Sequence, residues 1–394
     1  MLCRLSNQYA LMGRSTVVVA CLLVMQSSQA ALNVKHFGAK GDGVTDDTAA
    51  IRATVEAAQK AYTLGTHQQV DSQKDPTGGW QIPTRPEIVF PSGRYLVSDE
   101  IYVAGGVIRG EGEALITQSD ADKDIFTSQT AWRMTISGLT FAGGRNQLQL
   151  SNPNTDSGFV LIEQCRFYGA AGVAIIMDKG SNSTQLKIRD CVFIQPEQAL
   201  VSYTDETNMT DCWITSKPDM ENKAVIENRG GRMVLEKILG VPLVKGNSQR
   251  WIDHHYGWLT CREFRFGGEG GGFTPVVNFA KFYSTSASDG IGPSILVENC
   301  DVSVLRDNRR PAAVYCEEIP NGIVIRDCRI NSPVPALMVN PKIDLTSYFG
   351  DVERSMLGFR VEGNRGLRSN EWPSALRDLA IRPARHRSIV NVAQ

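Results

Sequence analysis

Ile162-Glu163-Gln164-Cys165-Arg166-Phe167 and Ile188-Arg189-Asp190-Cys191-Val192-Phe193 share one pattern, apolar-x-x-Cys-x-apolar. The pattern returns at Met209 to Ile214 around Cys212, at Val297 to Val302 around Cys300 and at Ile325 to Ile330 around Cys328. Degenerate copies fill the gaps, at Ile136 to Phe141, Leu235 to Gly240, Cys261 to Phe266 and Val361 to Gly366. Successive copies begin 21 to 36 residues apart, most often 26. Spacing in this range marks stacked repeats, each too small to bury its own apolar face.

Within a copy, apolar and polar residues alternate, as in Leu186-Lys187-Ile188. A period of two belongs to a strand rather than a helix. The runs are short, rich in Val, Ile and Phe, and separated by Gly, Asn, Asp and Ser, which is strand punctuation. A weaker column precedes each motif, from Ala174-Ile175-Ile176 and Ala199-Leu200-Val201 to Ala336-Leu337-Met338. Two or three strands per turn, with turns roughly 4.8 Å apart, predict an all-β, single-domain right-handed parallel β-helix. Five cysteines share one slot of the repeat. Stacked side chains pointing the same way make poor disulfide geometry, and Cys packs as a small hydrophobe. A column of buried thiols is therefore expected. Seven cysteines follow residue 30, and no Cys-x-x-Cys occurs among them, so no zinc site is expected.

The 394 residues are 42% apolar and 21% charged, with a formal net charge of −1. That balance points to neither nucleic acid nor an anionic membrane. An acidic polymer would have to be met by local Arg and Lys. The first 30 residues read as a signal peptide. Arg4 and Arg14 precede an apolar run from Thr16 to Met25, and Ser28-Gln29-Ala30 supplies a small-x-small cleavage pattern before Ala31. The run is too short to span a bilayer. A secreted or periplasmic protein is expected, with no membrane contact after cleavage. Val18-Val19-Ala20-Cys21 is a weaker rival, resembling a lipoprotein processing site. The β-helix domain then covers 31–394: an entry strand and capping helix over 31–62, coils over 88–369 and a tail over 370–394.

Asn33 to Ile51, with Phe37-Gly38-Ala39-Lys40-Gly41-Asp42-Gly43-Val44-Thr45-Asp46-Asp47 at its centre, resembles the opening segment of the pectate-lyase-like superfamily. Ile88-Val89-Phe90-Pro91-Ser92-Gly93-Arg94-Tyr95 and Ile108-Arg109-Gly110-Glu111-Gly112 resemble its next two landmarks. The resemblance, closest to the rhamnogalacturonase/epimerase-like branch, implies a parallel β-helix and carbohydrate chemistry. Physically the segment is a strand, a Gly turn and a helix start, with Thr45 or Asp46 able to cap the helix. Asp42, Asp46 and Asp47 read as turn and cap chemistry rather than a site. The superfamily's polygalacturonases carry Asn-Thr-Asp, Asp-Asp and Gly-His-Gly in order. Here only Asn154-Thr155-Asp156 is present, so no catalysis falls on Asp156. The Asp-Pro-His-Glu motif of mannuronan epimerases is also absent.

What remains is positional. Aligning Ile176, Val201, Ile226, Ile252, Val277, Val314 and Met338 places Met177, Ser202, Glu227, Asp253, Asn278, Tyr315 and Val339 in one outward column. Two residues on come Lys179, Thr204, Arg229, His255, Ala280, Glu317 and Pro341. The middle coils are ionisable and the outer ones are not. Glu227, Asp253 and His255 are the candidate catalytic groups, because neighbouring carboxylates split their pKa values and His moves protons near neutral pH. Arg229, Arg250, Trp251, Tyr256, Asn278, Tyr315 and Glu317 are the candidate substrate contacts, Arg for a uronate carboxylate and the rings for sugar faces. A slip of one residue would send Asp253 inward and His254 outward.

These residues predict an exported enzyme that cleaves a pectin-like or other uronate-containing polysaccharide, by hydrolysis or β-elimination. The alternative is a non-catalytic polysaccharide-binding or structural β-helix, like a tailspike shaft. No cofactor and no dedicated metal site are expected, although surface carboxylates are compatible with calcium. A monomer is expected rather than the trimer of a shaft. Two insertions, Tyr62 to Glu87 and Gly267 to Ser294, read as long loops, and Trp372 to Ile381 as a short helix.

Overall fold

The computed structural model describes residues 31–63, 85–128, 131–150, 156–178, 182–216, 223–242, 250–255, 257–266, 278–282, 294–302, 312–317, 322–330, 336–340, 342 and 359–365. The signal-peptide reading, most of both insertions, the expected C-terminal helix and the tail lie outside these residues, as do Asn154, Thr155, Lys179, Tyr256 and Pro341.

The chain winds as a right-handed parallel β-helix. Parallel strand–loop–strand crossovers take that hand because of the twist of the strands. Each coil contributes to two faces. One is a ten-stranded parallel sheet: β1 (Ile101–Tyr102), β2 (Phe126–Ser128), β3 (Leu148–Leu150), β4 (Val173–Met177), β5 (Gln198–Ser202), β6 (Ala224–Asn228), β7 (Arg250–His254), β8 (Asn278–Phe282), β9 (Ala312–Cys316) and β10 (Leu337–Val339). Each of these strands pairs with the same strand of the next coil. The other face is a larger parallel sheet built of paired short strands, such as Val160–Glu163 with Arg166–Tyr168 and Gln185–Arg189 with Val192–Ile194.

A bend separates the members of each such pair, and it explains the hexapeptide. Gln164, Asp190, Asp211, Lys237, Glu263, Asn299 and Asp327 all sit at φ between 51° and 54°. That left-handed residue turns the chain, and the next side chain drops into the corner. There stand Cys165, Cys191, Cys212, Ile238, Phe264, Cys300 and Cys328, each at most 2% exposed. The thiols are all free, and several donate to carbonyls of the coil behind, as Cys191 does to Ile162 O at 3.8 Å and Cys328 to Val297 O at 3.6 Å. Asn364 holds the same slot in the last described coil. It accepts from Cys328 N at 2.9 Å and donates to Ile325 O at 3.0 Å.

The final apolar residue of the motif builds the core. Phe141, Phe167 and Phe193 stack with centroids 5.4 and 4.9 Å apart and rings within 13° of parallel. Burying each ring stabilises by about 2–3 kcal/mol. In the next coils Ile214 and then Gly240 take the Phe position.

At the N-terminus, α1 (Thr48–Thr63) lies against the first coil through buried Ile51, Val55 and Ala58. An apolar end coil left bare would invite edge pairing. The aspartates do cap and turn work: Asp46 accepts from Thr48 N at 3.0 Å, Asp42 from Val44 N and Thr45 N, and Asp47 from Lys40 N and Gly41 N.

Candidate functional site

Strand register fixes which residues share the column of Glu227 and Asp253 along the ten-stranded sheet. The column runs Tyr102, Thr127, Gln149, Ile176, Val201, Glu227, Asp253, Lys281, Tyr315, Met338. Glu227 and Asp253 are register partners on β6 and β7, as the sequence alignment expects. Elsewhere the alignment needs correction. Met177 and Ser202 point inward and are fully buried. Ile176 and Val201 take their place: β4 and β5 pair as aligned, but β5 meets β6 one residue out of the assumed register, with Val201 rather than Ser202 opposite Glu227. Asn278 opens β8 opposite Arg250, and Lys281 is the register partner of Asp253. Met338 rather than Val339 follows Tyr315. Tyr315 lies in the column but is only 4% exposed, so it offers no sugar platform.

The residues just past each strand form a second outward column. Backbone bonds from Tyr203 to Met177 O, Arg229 to Ser202 O, His255 to Asn228 O and Asn340 to Cys316 O keep it in line. Tyr203 stands there in place of the expected Thr204, which is buried. Ala280 is the register partner of Ile252 rather than of His255. Glu317 flanks this edge at the far coils and accepts from Asn340 Nδ2 at 2.9 Å, away from Glu227.

Three groups converge on Glu227. Its Oε1 accepts from Arg229 Nε at 2.6 Å and from His255 Nε2 at 2.9 Å, while Oε2 accepts from Gln198 Nε2 at 3.3 Å. Arg229 also donates from Nη1 to the Tyr203 hydroxyl at 3.1 Å and lies 5.7 Å from the centre of that ring. Burial pushes the Glu227 carboxyl up, but the bonds from His255, Arg229 and Gln198 outweigh it and bring the pKa down to about 2. One coil on, Arg250 grips Asp253 with two bonds, Nε to Oδ1 at 2.9 Å and Nη2 to Oδ2 at 2.8 Å. Burial dominates at Asp253 and pushes it up, against Arg250 and with the help of the Glu227 charge. The two carboxyls thus move in opposite directions.

Alternation holds at Asp253: it faces outward and His254 faces in. His254 is fully buried, and burial pushes its pKa down to about 4. The Asn228 amide donates to its Nδ1 at 3.0 Å, so the ring proton sits on Nε2, which donates to Gly257 O at 3.1 Å. Asn228 also donates to Gly231 O at 3.0 Å and accepts from Gly230 N at 3.2 Å. These inward groups pin the turns that carry Arg229 and His255. The turns need glycine: a Cβ on Gly230 would lie 2.0 Å from Thr204 O, and one on Gly257, at φ +91°, would lie 2.1 Å from Gly231 O. The coils approach too closely for any side chain.

Trp251 is corrected from substrate contact to core. It is fully buried against Phe264 and Phe266, with centroids 6.0 and 4.9 Å away. Its ring fills the space left where Gly240 interrupts the aromatic column, 2.9 Å from where a Cβ on Gly240 would stand. That glycine was the signal in the sequence. Tyr203, Gln198 and the inward pair Asn228 and His254 were missed, because a polar residue in an inward slot looks like any turn former. Among the described residues no cluster of three His, Cys, Asp or Glu could hold a metal ion, and no helix is long and apolar enough to cross a membrane.

Residues 31–232 match the family described as rhamnogalacturonase A/epimerase, pectate lyase-like. The match includes Glu227 and Arg229 and stops before Arg250, Asp253 and His255. Alginate lyase 7 of Azotobacter vinelandii is 39% identical over 88 residues, 22% of this chain and 9% of that protein. A mannuronan C5-epimerase of the same organism, AlgE5, is 33% identical over 99 residues, 24% of this chain and 8% of that protein. The chain therefore spans less than a tenth of the length of these curated relatives. Among solved structures, the A-module of the A. vinelandii mannuronan C-5 epimerase AlgE4 aligns over 78% of this chain and 88% of its own, at 18% identity and a TM-score of 0.36. The Streptococcus pneumoniae surface adhesin PfbA aligns over 79% and 82%, at 12% identity and a TM-score of 0.40.

Proposed function

The chain belongs to the rhamnogalacturonase A/epimerase, pectate lyase-like family, and on that premise we propose that it is an exported enzyme that cleaves a uronate-containing polysaccharide by β-elimination. The observation that carries this reading is the sharing of Glu227 Oε1 by Arg229 and His255. It sets a cation that can pair with a uronate carboxylate beside a base.

In this reading Arg229 pairs with the sugar carboxylate, a charge-assisted bond of the strong kind, and thereby acidifies the neighbouring C5–H. His255 keeps its Nε2 proton and donates it in a hydrogen bond to Glu227, so Nδ1 is the atom that takes the C5 proton, leaving an imidazolium beside the carboxylate. The C5–H electrons form the C4=C5 double bond, and the C4–O glycosidic bond breaks. The departing oxygen collects a proton from water or from the Tyr203 hydroxyl. Glu227 orients the base, and Arg250 with Asp253 extends the charged floor one coil further. Hydrolysis, the other form of the reaction, would need one carboxyl protonated at working pH. Glu227, held near pKa 2, is unsuited to that role; Asp253 is pushed up by burial, but both its oxygens are engaged by Arg250 and turned from a substrate. The names of the two curated relatives, an alginate lyase and a mannuronan C5-epimerase, support the substrate class. Export rests on the sequence of residues 1–30. A second reading, polysaccharide binding without turnover, is favoured by one fact: each carboxylate already carries an arginine partner.

The test is a panel of polygalacturonate, rhamnogalacturonan, alginate and neutral glucans, with and without calcium. New reducing ends and the ultraviolet absorbance of an unsaturated uronate are followed together. Both signals on a uronate polymer are expected. Reducing ends alone would restore hydrolysis, and binding with neither signal would establish the second reading.

A further inference from the structure

The corner where each coil leaves the site face carries a further set of outward groups. Past the turns bearing Tyr203, Arg229 and His255, the next outward side chains fall in one register column: Arg133, Phe159, Gln185, Glu206, Arg232 and Trp258. Backbone bonds hold it together, among them Arg133 N to Gly158 O, Arg232 N to Asp205 O and Met233 N to Trp258 O. Aromatic side chains stand at both ends. Trp132, Phe159 and Trp258 are 37%, 45% and 49% exposed. Trp132 and Phe159 meet edge to face at 5.2 Å and 89°, and the Arg133 guanidinium lies 5.4 Å from the centre of the Phe159 ring.

Two features separate this corner from ordinary surface. Phe159 sits at φ +54°, and among the described residues it is the one apolar side chain other than glycine held in the left-handed region. A bulky residue there is uncommon and costs free energy, and it is spent on displaying a ring to solvent. The charges are also unbalanced. Among the described residues neither Arg133 nor Arg232 is paired with a carboxylate. Glu206, between them, is engaged by Gln185 Nε2 at 3.3 Å and Asn208 Nδ2 at 3.1 Å.

We infer that this corner binds an anionic polysaccharide running along the solenoid axis, with Trp132, Arg133 and Phe159 forming a remote subsite far from His255. The inference rests on the uronate reading above for the identity of the ligand. Phe159 and Trp258 are four register steps apart, roughly 19 Å at the usual strand spacing. A pyranose in a linear chain is about as long as that spacing, so one sugar meets each coil. Aromatic faces suit the C–H faces of the sugars, and Arg133 and Arg232 suit their carboxylates.

Calorimetry of the full chain with galacturonate and alginate oligomers of about three and about seven sugars, lengths set by the coil spacing, tests this. The variants are Trp132→Ala, Arg133→Gln and Phe159→Asn, the last because Asn tolerates the left-handed conformation. The long oligomers should bind roughly tenfold more weakly than to wild type, with the short ones unaffected and thermal midpoints unchanged. On polymer, KM should rise with kcat kept. Unchanged long-oligomer affinity in correctly folded variants, or equal loss for both lengths, would overturn the subsite. The two proposals fail separately. Length-dependent loss in a protein that cleaves no uronan removes the enzyme reading alone; cleavage with unaltered binding in the variants removes the subsite alone.

Discussion

Residues 253 and 254 are adjacent and face opposite ways, yet both are buried, and burial leads their acid–base behaviour. His254 stays neutral in the fold, with its pKa down at about 4 against 6.5 for an ordinary histidine. Between those values the unfolded chain takes up a proton that the native chain refuses, so stability falls as pH drops from 6.5 to 4 and then levels. The loss is about 3 kcal/mol at 1.36 kcal/mol per unit. Glu227 acts lower down. Its pKa is depressed from 4.5 to about 2, so its stabilisation is complete above pH 4.5 and fades as pH falls toward 2. Replacing His254 with Gln should flatten the dependence of the urea midpoint between pH 6.5 and 4 while leaving the acid limb below pH 4. An unchanged slope in that window would mean that His254 is charged in the native state. At this scale the sequence was partly legible. Alternation placed Glu227 and Asp253 outward because Ile226 and Ile252 anchor the inward slots. It misjudged Trp251, since the hole at Gly240 is a contact between coils that no local pattern records.

At the scale of the element, the hexapeptide is the outline of a corner. A left-handed residue such as Asp190 or Asp327 bends the chain, and the following side chain enters a space that accepts Cys in five coils. Burial pushes the thiols of Cys261 and Cys316 well up, which keeps them un-ionised and unreactive. The seven cysteines beyond residue 30 should resist a thiol reagent in the native protein and all react once it is unfolded; prompt labelling of any of the five in the corner would contradict the buried column. Cys191→Ala, which removes a sulfur packed between coils, should cost about 1–2 kcal/mol by denaturant midpoint. The repeat was readable because it demands the same chemistry in every coil. Strand register in the ten-stranded sheet was less so. Its strands enter with two buried residues in a row, as at Ala199 and Leu200 or Trp251 and Ile252, and that doubling hides the parity on which an alignment depends. Hence Asn278 stood where Lys281 belongs, three residues away.

The whole molecule converts a one-dimensional repeat into a site. Every coil meets its neighbours in register, so residues about 26 positions apart come within one strand spacing. Glu227 reaches His255 across that step and Gln198 across the one before. Strand pairing of β6 with β7 and the backbone bond from His255 N to Asn228 O set that register, and the turns at Gly230 and Gly257 present Arg229 and His255 side by side. The fold was legible because solenoids repeat their rules. The candidate site was less so, because it lies on a single pair of coils where the repeat is broken by ionisable residues. The most direct measurement is steady-state turnover of the most responsive uronate polymer by wild type and His255→Gln, alongside thermal midpoints. Loss of a general base predicts a fall in kcat of about a hundredfold or more, with the midpoint preserved. A variant that keeps wild-type kcat would contradict the assignment of the site.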